Sequence, residues 1–186
     1  MTTLALAGLA LAMAGAPSPG EAVDAMLRAY LKQGADVGHL EAAQALAPFM
    51  TRRFRRVLQE AAACQSDWVR QQPKGSTDKP PFVDCCLFAS SPEGIPAAFT
   101  VGAVEALPDG RQQVRVEYTW VDPPREGAGA SSPESYRWTD AFLVAQEDGA
   151  YRVDDFVFMR DVPDTPPLVL SQSFEGCQGP RWTGGR

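Results

Sequence analysis

Apolar side chains return every three or four positions over residues 21–31, where Val23, Met26, Leu27 and Tyr30 make one stripe. Ser18 and Pro19 are start signals for that helix and Gly34 is a stop. A short helix is predicted over residues 40–46, ended by Pro48. A longer helix follows, in which Phe54, Val57, Leu58, Ala61, Cys64 and Trp68 repeat at helical spacing and put Cys64 on the apolar face. Residues 71–81 (QQPKGSTDKPP) are too polar and too rich in proline for helix or central strand.

Beyond that loop the period drops to two. Strands are predicted over residues 82–88, 98–107 and 112–121, the last two joined at Pro108-Asp109-Gly110. In the third, Val114, Val116, Tyr118 and Trp120 alternate with Gln113, Arg115, Glu117 and Thr119, so one face is dry and one wet. Residues 122–134 (DPPREGAGASSPE) read as a long exposed connection. Residues 136–146 and 151–160 form a hairpin across Glu147-Asp148-Gly149. The proline-rich tail is expected to be irregular up to a short helix at 168–174. Helices followed by hairpin-connected strands predict an α+β fold, with the helices packed on one face of a curved, mainly antiparallel sheet.

Residues 1–16 (MTTLALAGLALAMAGA) are uncharged and apolar and close on the small-x-small triplet Ala14-Gly15-Ala16. The run is shorter than the roughly 20 residues a spanning helix needs and fits a secretory signal cleaved near Ala16. Residues 17–186 then form a single domain, periplasmic or secreted, with no tie to the membrane beyond export. The chain holds 23 acidic against 17 basic residues, a net charge of −6, which argues against nucleic acid as a partner. Against that balance runs Arg52-Arg53-Phe54-Arg55-Arg56, either a solvated helix face or a patch for an anionic partner.

Four cysteines, Cys64, Cys85, Cys86 and Cys177, are an even set suited to disulfides in an oxidising compartment. No C-x-x-C or H-x-x-x-H spacing occurs and the single histidine, His39, stands far from the cysteines, so no metal site is expected. Adjacent residues of a strand point to opposite faces, which sends Cys85 and Cys86 to different partners. Cys85 shares its side with Val83 and Leu87, where a covering helix would meet it. The expected bonds are therefore Cys64 with Cys85 and Cys86 with Cys177.

Several stretches carry a resemblance: Thr77-Asp78-Lys79-Pro80-Pro81-Phe82-Val83, Leu87-Phe88-Ala89-Ser90-Ser91-Pro92-Glu93-Gly94, Trp138-Thr139-Asp140 and Glu147-Asp148-Gly149-Ala150-Tyr151-Arg152-Val153-Asp154-Asp155. Together they resemble an exported bacterial family, domain of unknown function 3828, which is similar to the nuclear transport factor 2-like superfamily. That resemblance implies a cone-shaped α+β fold with a cavity on the concave face of the sheet. In such folds the cavity is an active site in some members and a binding surface in others, so fold alone does not assign function.

Candidate chemistry is sparse. Glu117, Asp140 and Asp155 are sheet carboxylates that an acid–base enzyme could use, and Trp138, with Trp120 and Tyr136, could stack on a sugar or peptide or simply fill the core. One histidine supports no Ser/His/Asp set, and no G-x-S-x-G, G-x-G-x-x-G or Walker loop is present, so neither catalysis nor a cofactor is expected. The expected function is a small exported binding protein, an immunity protein or inhibitor whose protein partner is a secreted toxin or cell-wall hydrolase. A cavity enzyme or small-ligand carrier is the alternative.

Overall fold

The computed structural model describes residues 16–33, 40, 42–78, 87–88, 96–121, 135–159 and 166–184. Helix α1 (Pro19–Gln33) opens on a capping box: the Glu21 carboxylate accepts from the Ser18 N–H at 2.6 Å, and the Ser18 hydroxyl accepts from the Glu21 N–H at 3.3 Å. Its stripe of Val23, Met26, Leu27 and Tyr30 is fully buried. The predicted short helix is a 3₁₀ helix (Ala42–Phe49) that runs through Pro48 instead of stopping before it. The proline falls in the last turn, where it removes a single donor, and its carbonyl accepts from the Arg152 guanidinium.

Helix α2 (Arg52–Gln71) is capped by Thr51, whose hydroxyl accepts from the Phe54 N–H at 3.1 Å. Phe54, Leu58, Ala61, Cys64 and Trp68 form its buried face, as the helical period predicts, whereas Val57, expected on the same stripe, is only part-buried.

Strands β1 (Ala98–Ala106), β2 (Gln112–Val121), β3 (Ser135–Glu147), β4 (Ala150–Phe158) and β5 (Leu168–Val169) make one antiparallel sheet in sequence order. Register shifts between Val101 and Val104 on β1, and between Leu143 and Val144 on β3, mark irregularities of the kind that bend a sheet. Val114, Val116 and Tyr118 of β2 pair with Phe142, Asp140 and Trp138 of β3, and all six side chains lie on the face that the helices cover. Phe88 is the hub of that core, with its ring 5.7 Å from Tyr30, 6.0 Å from Phe156 and 6.4 Å from Phe54. A smaller cluster of Ala141, Leu143 and Val157 packs on the other face with Leu107, Met159 and Val169.

Three expectations are corrected. Leu87 and Phe88, read as the end of a strand, lie in a turn and are buried to the last atom; the rest of that segment is outside the described residues. The tail at residues 168–174 is not helical: β5 pairs with the end of β4 and a 3₁₀ turn (Leu170–Gln172) follows, because the apolar pair Leu168 and Val169 completes the sheet. Finally, the disulfide joins Cys64 to Cys177, with Cα atoms 5.9 Å apart, and not to Cys85. The buried face of α2 at Cys64 is met by a C-terminal hairpin, β6 (Cys177–Gln178) and β7 (Arg181–Trp182), which brings Cys177 to it. The Trp182 N–H donates to Asp67 of α2 at 2.9 Å and the Gln71 side chain donates to the Trp182 carbonyl at 3.3 Å. Since Cys64 already holds Cys177, the expected bond from Cys86 to Cys177 is also excluded; Cys85, Cys86 and His39 lie outside the described residues.

Candidate functional site

The four candidate residues do not converge. Glu117 projects from the outer face of β2, half exposed, with Arg137 at 3.4 Å. Asp155 is buried where β4 meets the 3₁₀ turn: one oxygen accepts from the Ser171 N–H at 3.1 Å and the Phe156 N–H at 3.0 Å, the other from Arg53 at 3.1 Å. Trp138 and Asp140 do come together, two positions apart on the inner face of β3, with the Trp138 indole N–H donating to Asp140 at 3.1 Å. The other Asp140 oxygen accepts from the Met159 N–H at 3.1 Å. These bonds satisfy both buried carboxylates within the fold.

Around Trp138 the alternation of two strands assembles four rings. Tyr118 stacks on Trp138 with centroids 5.3 Å apart at 25°, Tyr136 lies 5.7 Å from Trp138 at 38°, and Trp120 lies 6.5 Å from Tyr136 at 37°. The cross-strand pairs Tyr118–Trp138 and Trp120–Tyr136 sit in direct register, which fixes the grid. It runs from the fully buried Tyr118 to Tyr136, which is 43% exposed. At the inner end the Tyr118 hydroxyl donates to the Phe88 carbonyl at 2.7 Å. Burial pushes that hydroxyl well above the usual tyrosine range, and the nearby Asp140 charge and then Tyr30 push the same way. Burial likewise raises Tyr30 to about 12, against a smaller opposing effect of the Phe88 backbone. Among the described residues the buried Trp120 indole N–H has no acceptor. The grid thus offers ring faces at its exposed end, at Tyr136.

A second polar region surrounds the start of α2. Thr51 donates its hydroxyl to Asp154 at 2.7 Å, Arg53 grips Asp154 and Asp155 together, and Arg111 reaches Asp154 at 3.4 Å. Arg52 pairs with Asp148 at 2.9 Å, and its backbone N–H donates to Glu147 at 3.1 Å. The arginine run is therefore split: two of its members anchor the helix to the β3–β4 hairpin. Asp154 is not among the candidate carboxylates of the sequence; the signal for this region is Thr51, an N-cap type directly before an amphipathic repeat.

Among the described residues, no three His, Cys, Asp or Glu side chains gather as a metal site, and no helix is long and apolar enough to cross a membrane. No protein-family model, curated protein or solved structure matches the chain.

Proposed function

We propose that the chain is a small exported binding protein, an immunity protein or inhibitor that engages a secreted toxin or cell-wall hydrolase. The observation that carries this reading is the aromatic grid of Tyr118, Trp138, Tyr136 and Trp120, which reaches the surface at one end of the sheet. Aromatic side chains with a polar tip are the residues that dominate the energetics of protein interfaces. A net charge of −6 supports a basic partner, since opposite charge speeds encounter. The Cys64–Cys177 bond supports an oxidising compartment. The resemblance to domain of unknown function 3828 supports the finer fold, the nuclear transport factor 2-like cone, and the bent antiparallel sheet with helices on one face is in keeping with it.

The reading includes cleavage of the leader, so N-terminal sequencing of the exported protein should begin near Pro17; a product starting at Met1 with reduced thiols would defeat export. The partner is tested with the secreted product of the adjacent gene. Tyr136→Ala and Trp120→Ala should each weaken its binding about 30-fold, the scale of an interface hot spot.

One observation favours the alternative of a cavity carrier or enzyme: the Asp140 carboxylate, the Trp138 indole and the Tyr118 hydroxyl gather on one buried face. A small molecule retained through purification and seen by native mass spectrometry would select the carrier. A turnover lost in Asp140→Asn while the fold persists would select the enzyme.

A further inference from the structure

Between the 3₁₀ helix, the first turn of α2 and the β3–β4 turn lies an open groove of about 300 Å³, lined by three arginines, Arg52, Arg55 and Arg152, and two carboxylates, Glu147 and Asp148. Arg52 occupies both carboxylates: Asp148 receives its guanidinium through both oxygens at 2.9 Å, and Glu147 lies 3.4 Å from its Nε. The other two cations have no carboxylate in ion-pair range among the described residues. Arg152 gives one N–H to the Pro48 carbonyl. Arg55 has its Nε–H buried with no acceptor.

Arg55 and Arg152 both line the groove and are only part-buried, so they bring to it charge that no carboxylate of the described residues offsets. Guanidinium forks match phosphate oxygens in geometry as well as charge. Arg55 comes from α2 and Arg152 from β4, so they approach from separate elements. A planar carboxylate presents its two oxygens side by side to a single fork, whereas a tetrahedral anion has oxygens for both. We propose that this groove is a phosphoryl-binding site in which Arg55 and Arg152 hold the oxygens of a phosphate group, free or as a monoester, beside the Arg52–Asp148 pair.

The test uses the full chain at fixed ionic strength, titrated separately with inorganic phosphate, glycerol phosphate and acetate while the arginine Nε–H resonances are followed. Phosphate or its ester should shift the Arg55 signal saturably and acetate should not; which of the two binds more tightly distinguishes free phosphate from an ester. Arg55→Lys, which keeps charge and length but loses the fork, should weaken binding about tenfold, and Arg181→Gln, remote from the groove, should leave it unchanged. No saturable shift, an equal response to acetate, or an unaltered affinity in both Arg55→Lys and Arg152→Lys would overturn the assignment. Should either variant fail to fold, the wild-type resonances decide.

Discussion

Asp154 shows opposed forces at a single carboxyl. Burial pushes its pKa up, but hydrogen bonds from Arg53 and Thr51 and the charges of Arg53 and Arg111 outweigh burial and hold it below the usual aspartate range. A carboxyl depressed in the folded state adds stability above its unfolded pKa of about 3.9, and that contribution is lost as pH falls through the folded value. Asp154→Asn is therefore expected to cost about 2 kcal/mol at pH 7 and to flatten the decline in stability at low pH, as urea midpoints measured from pH 7 down to pH 3 would read. Asp140 accepts from Trp138 on one oxygen and from Met159 on the other, so Asp140→Asn must turn its amide N–H₂ toward one of those two N–H donors. It should lower stability by about 1–3 kcal/mol, measured by the same denaturation, through the loss of an acceptor in a dry site. Which carboxylates mattered was half legible. Asp140 and Asp155 stood out as sheet acids, but their partners Met159, Ser171 and Arg53 lie far along the chain, and no local pattern announces a bond across such separations.

Among elements, the join between α2 and the β3–β4 hairpin is the most heavily bonded. Asp148 and Gly149 both have positive φ, 53° and 78°, the pair of left-handed residues that a type I′ hairpin needs. That geometry presents the Asp148 carboxylate to Arg52 while Glu147 takes the first amide of α2. Gly149→Ala should cost about 1–2 kcal/mol through backbone strain alone, since a methyl there meets open space. Thr51→Ala should cost about 1–2 kcal/mol by removing the cap and should also expose the loss of its bond to Asp154; a thermal melt of each variant checks both. Long elements were readable because their periods repeat: the face of α2 and the alternation of β2 are where the pattern placed them. Two-residue strands have no period to read, so β5, β6 and β7 were invisible, and the buried turn at Leu87 and Phe88 has the apolar composition of a strand.

For the whole molecule, the single described disulfide ties the middle of α2 to the C-terminal hairpin across a separation of 113 residues, enclosing the whole sheet. In the chain-entropy account a loop of that size restrains the unfolded state by about 5 kcal/mol. Reduction, or Cys64→Ala with Cys177→Ala, should lower the unfolding free energy read from denaturant titration by that order, and peptide mapping of the unreduced protein should recover the linked peptides. The α+β class was legible in the order of helical and alternating segments, whereas the pairing was not, because it depends on which element covers Cys64 in three dimensions. The same bond also has a history. A chain delivered from its N-terminus releases Cys64 first, then Cys85 and Cys86, and Cys177 only much later. Short loops close at lower entropic cost than long ones, so the nearer sulfurs meet Cys64 before its lasting partner does. Alkylation in the first moments of oxidative refolding should trap Cys64 joined to Cys85 or Cys86, with the bond to Cys177 replacing it through thiol exchange. A thiol-exchange catalyst should therefore raise the yield of oxidative refolding more than added oxidant does.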